Sequence, residues 1–290
     1  MSNSLNTKVK EQFDHDDSGG SLNTNHSDFL DSESASGNSI NTQWRDWSSG
    51  TGVSLNNRLM NKHGGSGSFN TRWKNWVAFS STHSFNFDGN NDYLEIADND
   101  SLSFGDGSSD SAFSISAWIN PVDATRFSIA SKATGSQVEW RFYCDGNDKL
   151  QLFLADDTIS VNEKRVSTAS ISQNTWTHVA VTYDGSGGTS ASSGINLYIN
   201  GSLDNGTADG FGTYVAMHNQ PIPVNIGFDD YDDKYANGLI DEFAIWDVEL
   251  NSSDVTSIYN NGKIIDLSKS TAYGVDRTGN LKLWLRCGDK

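Results

Sequence analysis

Phe85-Asn86-Phe87-Asp88-Gly89-Asn90-Asn91-Asp92-Tyr93-Leu94-Glu95-Ile96 and, far downstream, Asn237-Gly238-Leu239-Ile240-Asp241-Glu242-Phe243-Ala244-Ile245-Trp246 decide the fold of this chain. Between them each apolar stretch is short and alternating, and Gly, Asn, Asp or Ser ends it. Such punctuation predicts an all-β, two-sheet antiparallel sandwich. Phe113–Ile119, Val138–Phe142, Leu150–Leu154 and Ile195–Ile199 alternate with the period of a half-buried strand. Trp176–Asp184 is apolar on both faces and reads as a central strand. Asp184-Gly185 and Asn200-Gly201 supply residues that tolerate positive φ in tight turns. After Trp246, a Ser/Asp cap precedes Val255, Ile258 and Tyr259, so one short helix is expected over an end of the sandwich.

Charge narrows the partners. The 290 residues carry 20 Lys and Arg against 37 Asp and Glu, a net −17. Almost all of that excess lies after residue 83. So acidic a unit does not neutralise phosphates and is repelled by anionic lipid, which excludes nucleic acid and membrane surfaces as partners. Calcium, neutral glycans and other proteins are left. No apolar run reaches the roughly 20 residues of a membrane span, and Met1–Lys8 lacks the hydrophobic core of a signal peptide. The two cysteines, Cys144 and Cys287, could pair if the C-terminus packs beside the strand that ends near Cys144, but a reduced pair is expected of a protein made in a cytoplasm.

Residues 1–82 read as an extended arm with a hidden repeat. Ser4-Leu-Asn-Thr, Ser21-Leu-Asn-Thr, Ser39-Ile-Asn-Thr, Ser54-Leu-Asn-Asn and Ser68-Phe-Asn-Thr recur between Gly/Ser spacers. Two copies continue into Trp44-x-x-Trp47 and Trp73-x-x-Trp76. Residues three apart share one face of a helical turn, but a lone turn is unstable in water. The paired Trp residues therefore call for a partner surface, and tethering several motifs in series multiplies their effect.

From Phe87-Asp-Gly89 onward the chain resembles the laminin-G-like, concanavalin A-like jelly rolls. The resemblance is carried in order by Asp92-Tyr93, Ser116-Ala-Trp-Ile119, Ser131-Lys132, Trp176-Thr-His-Val-Ala180, Leu197-Tyr-Ile-Asn-Gly201, Ile226-Gly227 and Gly238-Leu-Ile-Asp-Glu242. It implies a jelly-roll sandwich over residues 83–266, and a binding or display module more often than an enzyme. The apolar Trp-containing strand that often opens such domains has its best counterpart in Leu281–Arg286. Residues 267–290 are thus expected to pack on the sandwich as a late-added strand. The ending Trp284–Asp289 is similar to the close of laminin-G-like proteins encoded by marine phages. That similarity implies a virion protein assembled in the host cytoplasm, its arm fastened to other virion proteins of capsid or tail.

Two groups of residues are candidate sites. Asp241 and Glu242 follow one another in an apolar strand, so at least one carboxylate should be buried and in need of a cation or donors. Alternation puts Leu239, Phe243 and Ile245 on the face of Asp241, and Ile240, Ala244 and Trp246 on that of Glu242. Related jelly rolls hold calcium near an edge, and Asp88, Asp92 and Asp241 could supply oxygens to it; turn amides or an Arg or Lys would serve Asp241 equally. Asp229, Asp230, Tyr231, Asp232, Asp233 and Tyr235 combine carboxylates with aromatic rings, the chemistry that binds sugars, though a solvated acidic loop reads the same. His178 reads as a hydrogen-bonded core residue.

No Glu-x-Asp-x-x-Glu triplet is present to place an acid and a nucleophile on one strand face for glycoside hydrolysis. The expectation is a non-enzymatic virion decoration or adhesion protein that displays a jelly roll able to bind host-surface glycan. An exported or cell-surface lectin-like module is the first alternative, and a glucanase-like hydrolase the second.

Overall fold

The computed structural model describes residues 83–156 and 158–287. The arm over residues 1–82, with Trp44, Trp47, Trp73 and Trp76, lies outside the described residues. In chain order the strands are β1 (Phe85–Asp88), β2 (Leu94–Ile96), β3 (Phe113–Pro121), β4 (Ser128–Ala133), β5 (Val138–Cys144) and β6 (Lys149–Asp156). Then come β7 (Thr158–Ser170), β8 (Thr177–Tyr183), β9 (Ile195–Ile199), β10 (Ser202–Leu203), β11 (Asn205–Phe211) and β12 (Val224–Ile226). A small hairpin, β13 (Phe228–Asp229) and β14 (Lys234–Tyr235), precedes β15 (Asn237–Trp246), helix α1 (Ser252–Tyr259) and β16 (Leu281–Leu285).

Two antiparallel sheets form the sandwich. The first runs β1-β15-β3-β8-β9-β10, with β16 also on β15; the second runs β11-β7-β6-β5-β4-β12-β2. Alternate residues of β3 (Phe113, Ile115, Ala117, Ile119) and β8 (Val179, Val181, Tyr183) meet Trp140, Phe142, Leu152 and Leu154 of the second sheet in the central core. The strand period of two explains why these, and not their neighbours, point inward. Asn200 and Gly201 both take positive φ between β9 and β10, the backbone of a tight two-residue hairpin turn.

The helix does not sit over an end of the sandwich. It lies on the outer face of the first sheet, where Val255 and Ile258 join Leu250, Leu267, Ala272 and Tyr273 over Ala180, Tyr198, Ala244 and Trp246 in a second core. Asn251 caps the helix, with Asp254 returning a bond in a capping box. Arg277 donates to Asp254 at 3.0 Å and pins the following segment.

One extra residue in β15 overturns the expected alternation. Asp241 pairs with Trp118 but Ala244 pairs with Ser116, a register shift marking a bulge. Glu242 sits at φ +50, a left-handed conformation that costs a non-glycine residue about 1 kcal/mol or more. Ile240, Phe243 and Ile245 therefore all face the central core. Asp241 and Glu242 both turn to the outer face, not to opposite faces. The bulge also divides the flank of β15: β1 pairs with residues 237–240 and β16 with residues 243–246. Cys144 and Cys287 are both buried free thiols.

Candidate functional site

A row of register partners crosses the second sheet: Glu95, Asn225, Ser131, Arg141, Phe153, Lys164 and Asp209. Partners across a sheet point to one face, and these alternate with Trp140, Phe142, Leu152 and Leu154 of the central core. The row therefore lies on the outer face, with Arg141 at its middle. Its guanidinium is 3% exposed. Nε and Nη2 donate to Asp229 Oδ2 at 2.7 and 2.5 Å, and Nη2 also donates to Asp232. The rings of Tyr143, Tyr231 and Phe153 stand 4.7, 5.2 and 5.5 Å from the guanidinium carbon. Burial alone would lower the Arg141 pKa, but the carboxylates of Asp229 and Asp232 outweigh it and raise the value.

Arg141 thereby folds the β13–β14 hairpin down onto the sheet. Ser131 Oγ donates to the Phe228 carbonyl at 3.0 Å and fastens the hairpin base. Gly227, at φ +81, lets the chain leave β12 with the ring of Phe87 packed where a Cβ would stand. In sequence the acidic loop reads equally as a sugar site or as a solvated loop; in the fold Asp229, Tyr231 and Asp232 are engaged by Arg141. Nothing in the alternation of β5 distinguishes this Arg from an ordinary outward-facing one.

The other side of the hairpin carries an aromatic platform. Phe228 and Tyr235 are register partners, stacked at 4.2 Å with planes 17° apart. Tyr93 tilts over both, at 5.2 and 6.3 Å, and keeps 43% of its surface exposed. Asp230 and Asp233 lie in the turn that joins β13 to β14, and desolvation, Asp233, Tyr93 and Asp230 together raise the pKa of the Tyr235 hydroxyl. The geometry joins an open ring, a stacked pair beneath it and acceptors in the turn of the same hairpin. Tyr93 was missed as a site residue because it lies some 140 positions upstream of the hairpin.

The three carboxylates suggested for calcium are not gathered into one ligand set. Asp88 and Asp92 form an exposed turn, in which Asp92 accepts from the Asp88 amide and Asp88 accepts from Asn90. Asp241 is buried in β15 and accepts from the Glu242 amide at 2.8 Å. Among the described residues, no three His, Cys, Asp or Glu side chains stand together as a metal group. Calcium needs six to eight oxygens converging on one point, and these residues do not fit it.

A second cluster lies on the outer face of the first sheet. Glu242, His178, Ser116 and Trp118 line a small cavity together with Ile258, Ile264, Ile265 and Leu267. His178 packs against Trp118 and Tyr259 at 5.3 and 5.9 Å, and those two rings stack on each other at 5.9 Å. Burial lowers its pKa to about 3. Neither ring nitrogen has a hydrogen-bond partner among the described residues, so His178 is a core residue there without the bond expected of it. Glu242 accepts from Trp284 Nε1 at 2.7 Å and from Arg286 at 3.5 Å. Its pKa rises to about 7, chiefly by desolvation, with Asp241 adding to the rise.

A pH dependence follows. A carboxyl whose folded pKa exceeds its unfolded one favours folding fully below the unfolded value, and that stability is lost as pH climbs through the folded value. For Glu242 the window runs from about 4.5 to about 7, and the loss is at most about 3 kcal/mol. Glu139, buried beside Lys132, is likewise raised to about 7 by desolvation and acts in the same direction. Melting temperature should fall between pH 5 and 8, and Glu242→Gln should flatten that fall by about half. Equal slopes for the two proteins would disprove the assignment.

Residues 88–256 match the laminin-G family described as the Concanavalin A-like lectin/glucanases superfamily. The chain belongs to that family. No curated protein matches it. Among solved structures, the binding domain of botulinum neurotoxin serotype G is similar at 17% identity and TM-score 0.42, over 62% of this chain and 45% of that one. This chain thus spans less than half the length of that structure. A heptameric SAP-like pentraxin from Limulus polyphemus gives 17% identity and TM-score 0.38 over 68% and 92%. Domain 4 of a GH43 extracellular arabinanase from Geobacillus stearothermophilus, solved with arabinotriose, gives 23% identity and TM-score 0.40 over 60% and 86%.

Proposed function

We propose that this protein is a non-enzymatic, lectin-like module that binds glycan at the Tyr93/Phe228/Tyr235 platform. The observation carrying the reading is the exposed Tyr93 ring over a stacked pair, with Asp230 and Asp233 in the turn of the same hairpin. The apolar face of a sugar ring packs on an aromatic ring, and carboxylates accept from its hydroxyls. Arg141 holds the hairpin in place before any ligand arrives, which lowers the ordering cost of binding. Hydrolysis is disfavoured as a reading because Glu242 is 5% exposed and its carboxylate is taken up by Trp284 and Arg286. A glycan array followed by calorimetry on the best ligand tests the proposal. Tyr93→Ala should weaken binding by about tenfold to a hundredfold, the scale of an aromatic anchor. Equal affinity of the variant, or retention of no saccharide, would refute it.

The repeated Trp-x-x-Trp arm of residues 1–82 favours a second, compatible statement: the module is displayed from a larger assembly such as a virion. Mass spectrometry of purified particles tests it. Absence of the chain from every particle fraction would end that reading.

A further inference from the structure

The charges around the platform select among glycans. We infer that the site takes neutral, hydroxyl-rich saccharides and turns away those bearing carboxylate, sulfate or phosphate groups. This rests on the binding reading above and goes one step further, to the class of sugar.

The strongest cation at the site is unavailable to a ligand. Arg141 is 3% exposed and is held by Asp229 and Asp232 under three rings. An anionic sugar would have to displace carboxylates already in place, at the cost of leaving them buried and unpaired. Arg126 is more open, but Asp232 stands 3.6 Å from it. Lys234 is exposed in the hairpin and follows directly on Asp233.

Against these stand Glu95 on the same sheet face and Asp230 and Asp233 in the turn of the hairpin that carries Phe228 and Tyr235. Counting Glu95, Asp229, Asp230, Asp232 and Asp233 against Arg126, Arg141 and Lys234, the surroundings carry a net charge of −2. They sit on a chain of net charge −17. A fixed negative charge within several ångströms of a ligand's own anion disfavours it about tenfold or more at an effective dielectric near the surface value. Neutral sugars meet no such opposition, and their hydroxyls find acceptors in the same carboxylates.

The test uses the full chain and a matched pair of probes: a neutral oligosaccharide, and the same oligosaccharide capped with one sialic acid. The pair is chosen after screening an array that holds neutral, sialylated, uronate and sulfated glycans. The neutral form should bind at least about tenfold more tightly at low salt, and the gap should narrow as added salt screens the surface charges. Asp233→Asn should narrow it too. Equal or tighter binding of the capped form would overturn the charge selection while leaving the platform standing as a site. If no saccharide of either kind is retained, the platform reading falls and this inference with it.

Discussion

Arg141→Met should lower the unfolding free energy by about 3–5 kcal/mol, the scale of breaking a buried ion pair by removing one partner. The loss comes less from the contact itself than from what it leaves behind. Asp229 is 2% exposed and would be left buried without the guanidinium that now engages its Oδ2, its pKa already raised by burial. Asp232 would lose the same donor, and Tyr231 the cation it now faces at 5.2 Å. A compensating change separates this account from a generic packing defect. Arg141→Met with Asp229→Leu should recover at least half of the lost stability, because a hydrophobic pair of similar volume can replace a buried ion pair. Denaturant unfolding of the three proteins decides it. A single variant within 1 kcal/mol of the parent, or a double variant worse than the single, would sink the claim. Glycan affinity should fall in the single variant as well, since the hairpin that carries Phe228 and Tyr235 loses its fastening.

Removing residues 279–290 should cost about 5 kcal/mol. β16 supplies the only described partner on that flank of β15 beyond the bulge, and its Leu281, Leu283, Trp284 and Leu285 are half-buried. Half-burying such side chains contributes roughly 1 kcal/mol each. Truncation also strips Glu242 of the Trp284 and Arg286 donors, and a buried acceptor left without them costs about 1–3 kcal/mol. For a unit of about 200 residues the melting temperature should drop by roughly 10–20 °C. Calorimetry of the truncated and full chains checks this, and melting temperatures within 2 °C of one another would contradict it. A milder control is Trp284→Phe, which keeps the ring and deletes the donor to Glu242. It should reproduce only a minor part of the loss.

The residues themselves determined the architecture. A period of two over Phe113–Ile119, Val138–Phe142 and Ile195–Ile199 is enough to specify half-buried strands, because each outward slip would put an entire apolar set into water. Turn pairs such as Asn200-Gly201 are legible for the same local reason: few residues take positive φ without strain. Strand β7 is the counter-example. Thr158-Ile-Ser-Val-Asn-Glu-Lys-Arg-Val-Ser-Thr-Ala-Ser170 carries too many charged and small polar residues to read as a strand, and it forms one because β6 and β11 pair with it on both sides.

What the tertiary structure alone decided is where the polar chemistry goes. A single extra residue in β15 reverses the side-chain parity, and no local signal marks Glu242 as the residue to take φ +50. The acidic hairpin looked exposed in sequence because its counter-charge, Arg141, lies some 90 positions earlier on a strand of another sheet. Tyr93 joins its platform across a comparable distance in the chain. Periodicity acts between neighbours in sequence, so it determines strands and turns. Ion pairs and ring stacks form between residues that only the completed sandwich brings together, and the candidate site is made of those.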